Sequence, residues 1–189
     1  MHALALTGGF ENAPHASAHA FRVALDVLAR PGKIAEISGA TPPAPLSPAA
    51  GTLLLTLCDP ETPVWLAPAL GGGDIAHWLR FHTGAPVVES RAAAMFAVGP
   101  WAELLPIRYF AIGTPEYPDR SATLIVEMQA LTPTGTTLRG PGIEATAALG
   151  LPADEAFRQN AALFPLGLDF FFTAGSRIAG LPRSTKLEA

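Results

Sequence analysis

Cysteine is nearly absent. Cys58 stands alone in 189 residues, which excludes an intramolecular disulfide and a cysteine metal cage and suits a reducing compartment. Lysine is almost as scarce: Lys33 and Lys186 are the only two, each in an exposed setting near breaker residues. Schiff-base chemistry needs a partly buried lysine, so no pyridoxal-phosphate chemistry and no cofactor are expected. Charge is thin as well, at 15% of residues against 49% hydrophobic, and a surface so poor in charge suggests that partners cover part of it. The net charge is -4 with no basic run, so nucleic acid and anionic membrane are poor partners. No apolar run approaches the roughly 20 residues of a bilayer span. The start, "MHALALTGG", lacks the blocks of a signal peptide. A cytoplasmic protein is expected, folded as a single domain over residues 1–189.

The familiar catalytic signatures are missing too. The sequence holds no HExxH and no CxxC. "GGGD" at 71–74 lacks the lysine of a P-loop, and its aspartate would repel a phosphate. "RGPGI" at 139–143 has the wrong glycine spacing for a dinucleotide fingerprint, and "AGSRIAG" is not a nucleophile elbow.

What is present reads as alternating helices and strands. Residues 15–30 predict an amphipathic helix with Phe21, Leu25 and Leu28 inward and Arg22, Asp26 and Arg30 as an outer ion-pair ladder. Pro31-Gly32 stops it. Residues 33–37 alternate like a short strand, and 41–48 form a proline-rich loop. The run "SPAAGTLLLTLCDP" suits strand or helix, and Ser47 followed by Pro48 decides for a helix with Ala50, Leu53, Leu54 and Leu57 on one face. Strands are expected at 63–67, 85–88, 94–98 and 122–131, with a strand end and tight turn at 137–143. Helices are expected at 74–83, with Gly84 just past the end, and at 154–163. At the C-terminal end, strands at 168–174 and 177–182 flank a Gly175-Ser176 turn. Phe170 and Phe172 face opposite to Phe171, so the first of these strands is covered on both sides and central. The pattern is that of an α/β layered domain.

Three clusters invite a functional reading. Arg80 and Thr83 share a helix face and could hold a phosphate or carboxylate, or Arg80 could pair with an ordinary carboxylate. His82 falls on the apolar side with Ile75, Trp78 and Leu79, where it could act as acid or base or simply favour the helix end. "LPRST" places Arg183, Ser184 and Thr185 beside a strand-breaking proline, an anion hook or a plain exit from the sheet. Arg183 is expected near the surface there. His15 and His19 could offer two metal ligands on one helix face, but no third is indicated, and no metal is expected.

Several stretches together resemble one family. "HAFRVALDVLARPG" (19–32), "LLLTLCDPETPVWL" (53–66), "LRFHTGAP" (79–86), "LRGPGI" (138–143) and "FPLGLDFFFTAGSRIAGLPRST" (164–185) occur in the order and spacing of PhnH, a subunit of the bacterial carbon–phosphorus lyase system. The resemblance implies a three-layer α/β/α sandwich with a mixed sheet, similar to the large domain of pyridoxal-phosphate-dependent transferases without the cofactor. It implies a homodimer that associates with PhnG, PhnI and PhnJ in a core complex. The associated step makes ribose 1-methylphosphonate 5-triphosphate from ATP and methylphosphonate, with phosphonate displacing adenine. PhnI is regarded as carrying that chemistry and PhnJ as breaking the carbon–phosphorus bond. An accessory, non-catalytic subunit is therefore the expectation, with Arg80, His82, Thr83, Arg183, Ser184 and Thr185 facing a partner or a phosphate- or nucleotide-like ligand. Ser184 stands where the family usually has threonine, and Arg139 where small or polar residues are common. The rival expectation is a stand-alone nucleotide- or phosphonate-processing enzyme using His82.

Overall fold

Three consecutive phenylalanines mark where the core divides. They lie on β7 (Asp169–Ala174), in a computed structural model that describes residues 6–71, 73–152 and 155–188. Residues 1–5, Gly72, Ala153, Asp154 and Ala189 fall outside the description, and with them parts of the expected N-terminal, glycine-loop and 154–163 readings.

β7 pairs in parallel with β4 (Thr123–Glu127) and antiparallel with β8 (Arg177–Leu181). The sheet continues outward through β3 (Phe96–Pro100) to β2 (Val64–Leu66) on one side, both parallel to β4, and to β1 (Ile34–Glu36), antiparallel to β8, on the other. The result is a six-stranded mixed sheet in the order β1-β8-β7-β4-β3-β2. Register sets Leu124 beside Phe170, Ile125 beside Phe171 and Val126 beside Phe172. Because side chains alternate, Phe171 and Ile125 enter one apolar cluster, while Phe170, Phe172, Leu124 and Val126 enter the other. The expected central strand with two covered faces is thus found.

The first face is covered by α1 (Ala13–Ala29), α2 (Pro48–Leu57) and α3 (Asp74–Thr83). α2 forms as its sequence suggests: the Ser47 hydroxyl accepts the Ala50 N–H at 3.1 Å, and Pro48 occupies the first turn. Its apolar face is wider than expected. Residues 49–54 are all buried, because α2 lies under both α1 and α3 and so needs an apolar surface nearly all round.

α1 departs from expectation in its rotation. Ala20, Ala24 and Val27 face the core, while Phe21 and Leu25 stay 44% and 50% exposed. The cause is a close helix–sheet approach. Gly180 of β8 sits so near α1 that an added Cβ would lie 2.8 Å from the Val27 carbonyl oxygen. Small residues must face such a contact, and the large ones turn outward. The expected ion-pair ladder is shifted as well: Asp26 binds Arg30 and Lys33.

The second face carries α4 (Trp101–Leu104), α5 (Glu155–Ala161) and an antiparallel sheet of β6 (Ala147–Leu149), β5 (Thr136–Arg139) and β9 (Lys186–Leu187). Trp101 stacks on Phe157 at 4.4 Å, and Phe157 meets Phe170 edge-on at 5.0 Å. The small sheet was not expected from sequence, since β9 has only two residues and its one strand partner is distant β5. The expected strand at 85–88 shrinks to a single bridge between Val87 and Val64, and β4 ends at Glu127, short of the expected residue 131.

Candidate functional site

The sequence-nominated residues fall into two groups that belong to different faces. α3 presents Arg80, His82 and Thr83 on the side of the first cluster, while the 183–185 segment leaves β8 beside β7 and β4. No hydrogen bond, ion pair or ring contact among the described residues joins the groups.

On α3, two of the three side chains are committed to local structure. The Thr83 hydroxyl donates to the Leu79 carbonyl at 2.7 Å and accepts the Ala85 N–H at 3.0 Å. Together with left-handed Gly84, whose N–H donates to the Arg80 carbonyl, it ends the helix. His82 lies against Trp78 and Phe81, with ring centroids 5.2 and 4.9 Å away. Its Nε2 faces the Thr7 carbonyl at 3.3 Å, and the Trp78 indole N–H donates to that same oxygen at 2.9 Å. One carbonyl thus straps the residue 7–9 segment onto α3, and Gly9 is required because a Cβ there would sit 2.6 Å from the His82 ring. Arg80 differs: it is exposed, and its side chain makes no hydrogen bond or ion pair with a described residue.

The 183–185 segment is a turn joining the two sheets, since the Thr185 N–H donates to the Pro182 carbonyl at 2.9 Å. Its arginine is not at the surface as expected. The Arg183 side chain is 13% exposed and ion-paired to Asp169, itself 25% exposed. Backbone N–H and Nε both donate to Asp169 Oδ1, at 2.8 and 3.1 Å, and Nη2 reaches Oδ2. Nη1 donates to the Pro118 carbonyl at 2.7 Å, and Nη2 also meets the Ser121 hydroxyl. A guanidinium so fully engaged pins β7, the loop before β4 and the inter-sheet turn together. Ser184 is half-buried. Thr185 is buried, and its hydroxyl has no hydrogen-bond partner among the described residues. Gly140, at φ 140°, backs onto this turn, where a Cβ would lie 3.0 Å from the Ser184 carbonyl oxygen. Gly142 of the same "RGPGI" stretch abuts the end of α1, with a Cβ position 1.8 Å from the Ala29 carbonyl oxygen. These glycines mark close backbone approach rather than phosphate binding.

His15 and His19 are both exposed on α1, and no group of three His, Cys, Asp or Glu side chains gathers as a metal set among the described residues. No helix among these residues is long and apolar enough to cross a membrane.

One residue that the sequence did not single out is chemically unusual. Glu127 ends β4 with its carboxylate largely withdrawn from water, and burial pushes its pKa above the ordinary range against the opposing hydrogen bonds from Ser47 and Thr173. The only hint in the sequence is a carboxylate closing the apolar run "ATLIV". Arg91 was missed too: its guanidinium lies 4.7 Å from the Trp65 ring centroid and donates to the Leu105 and Glu103 carbonyls at 2.9 and 2.7 Å. Cys58 is buried, which raises its thiol pKa to about 12, with Asp59 adding to the rise.

A sequence model of the family described as "Bacterial phosphonate metabolism protein (PhnH)" matches residues 8–188. The alpha-D-ribose 1-methylphosphonate 5-triphosphate synthase subunit PhnH of Rhizobium meliloti (strain 1021) is 43% identical over 190 residues, covering 96% of this chain and 95% of the relative. The family match spans nearly the whole described chain, and the chain belongs to the PhnH family of bacterial phosphonate metabolism proteins.

Proposed function

We propose that the chain serves as a subunit of a ribose 1-methylphosphonate 5-triphosphate synthase in organic phosphonate catabolism, contributing surfaces rather than the reacting groups. The observation that carries this reading is the 43% identity to a synthase subunit along nearly the full length of both chains. The commitment of His82, Thr83 and Arg183 to internal contacts supports an accessory role, because these side chains are already engaged in holding the fold. The partners are PhnG, PhnI and PhnJ, and the chain pairs with a second copy of itself as a single-domain, cytoplasmic protein. Exposed Phe21 and Leu25 on α1 supply an apolar surface for such contacts. Arg80 and the Ser184 hydroxyl face a partner or a phosphate-bearing ligand, and the domain takes the three-layer form of the transferase large domain.

Reconstitution tests the reading. Methylphosphonate and ATP are supplied to the other subunits with and without this chain, and ribose 1-methylphosphonate 5-triphosphate is followed by phosphorus NMR. Product formation that depends on the chain supports the proposal. Turnover by the chain alone, abolished by His82→Ala, overturns it in favour of a stand-alone enzyme.

A further inference from the structure

The short strand β9 gathers more positive charge than its surroundings balance. Lys186 of β9 lies directly opposite Arg139 of β5 in the antiparallel register, so the two cations project from the same face of the small sheet. Like charges in that position cost stability unless something neutralises them. Glu188, two residues on and on the same face, is taken by Arg139. Lys186 is exposed, and its ammonium makes no hydrogen bond or ion pair with a described residue.

A third cation stands beside it. Arg158 of α5 borders the same cleft as Lys186, a hollow of about 260 Å³ whose other walls are Ala161, Ala162 and Leu187. Two of the arginine N–H groups donate to the Leu187 and Glu188 carbonyls, at 2.8 and 3.1 Å. A guanidinium has five, so three remain, and no carboxylate among the described residues pairs with it. The two carbonyls hold the guanidinium at the cleft, which lowers the cost of ordering it around a ligand. The lining thus has two cations and no acid, in a chain of net charge -4 with only two lysines.

We propose that the cleft between α5 and β9 binds a dianionic tetrahedral oxyanion, a phosphate-type group carried by a small molecule. Arg158 supplies directed N–H donors, and Lys186 supplies a mobile point charge. Two unpaired cations call for two negative charges, which a single carboxylate does not bring. The small Ala161 and Ala162 side chains leave room for the three terminal oxygens. The site stands apart from the synthase reading, because it is tested on the chain alone.

The test is titration of the isolated protein with methyl phosphate at constant ionic strength and about pH 8, where the monoester is a dianion. The backbone amide signals of Ala161, Ala162 and Leu187 report binding. Acetate, with one charge, is the control. Saturable shifts of roughly millimolar affinity are expected, with acetate at least about threefold weaker. Lowering the pH to about 5, where the monoester carries one charge, should remove most of that advantage. Lys186→Gln is expected to lose the shifts. Because Lys186 belongs to β9, Ala162→Glu is the second variant: it sets an acid into the cleft from an exposed position and leaves both cations in place. It is expected to lose the shifts as well. A further arm uses inorganic phosphate: binding tighter than methyl phosphate assigns the site to the free ion, and weaker binding assigns it to an ester. Absence of saturable shifts, equal binding of acetate, or undiminished binding in Ala162→Glu overturns the proposal.

Discussion

Arg183 and Asp169 form the polar joint of the molecule. The arginine leaves the last strand of the large sheet, the aspartate opens the central β7, and the guanidinium also grips Pro118 and Ser121 before β4. Three segments distant in sequence therefore depend on one side chain.

Removing that side chain is expected to damage the fold. Arg183→Ala strands a mostly buried Asp169 carboxylate and should lower stability by about 2–4 kcal/mol. Because Asp169 keeps some exposure, the lower part of that range is favoured. Urea unfolding, read as the midpoint at constant slope, measures it. Arg183→Lys should recover only part of the loss, since an ammonium cannot reproduce the fork. A loss under about 0.5 kcal/mol would instead fit an exposed residue.

Glu127 should make stability depend on pH in the opposite sense to an ordinary ion-paired carboxylate. Its pKa is raised by burial in the folded state, so the folded protein holds the proton more tightly than the unfolded chain. The resulting stabilisation is full below the unfolded pKa and is lost as pH rises through the folded value. Wild type minus Glu127→Gln, compared by urea unfolding from about pH 4 to about pH 8, should therefore decline with rising pH. The depressed pKa values of Asp26, held by Lys33 and Arg30, and Asp59, held by Thr62 and the Glu61 N–H, act the other way. Both cancel in this difference.

Cys58 should be inert in the native state. Its thiol is buried with a pKa of about 12, and only the thiolate reacts quickly. Disulfide reagents at about pH 8 should label it no faster than the protein unfolds, and labelling should accelerate with urea. Rapid labelling without denaturant would show that the end of α2 opens.

The exposed pair on α1 should matter to association and not to folding. Phe21→Ser combined with Leu25→Ser is expected to change urea stability by less than about 1 kcal/mol, because the core side of α1 is Ala20, Ala24 and Val27. Sedimentation of the same variant should show weakened self-association or weakened binding to partner subunits. Unchanged assembly would remove this surface from the account.

Much of the architecture was legible where local chemistry and long-range packing agree. Ser47-Pro48 declared the start of α2, and alternating phenylalanines declared a doubly covered β7. The rotation of α1 was hidden because apolar size alone favours Phe21 and Leu25 inward, whereas the contact with Gly180 admits only small side chains. β9 was hidden because a two-residue strand has no period of its own. The role of Arg183 was hidden because its partners Asp169, Pro118 and Ser121 are brought near only by the sheet. Its segment carried the family resemblance, yet its work in the structure is to join strands.

The most direct measurement is co-purification. A tagged copy of this chain is expressed together with the PhnG, PhnI and PhnJ subunits from the same source, and the captured material is resolved by size and composition. The account predicts a single stoichiometric assembly containing all four, from which this chain does not dissociate at working concentrations. Elution of the tagged chain by itself, with the other three assembled without it, would contradict the central claim.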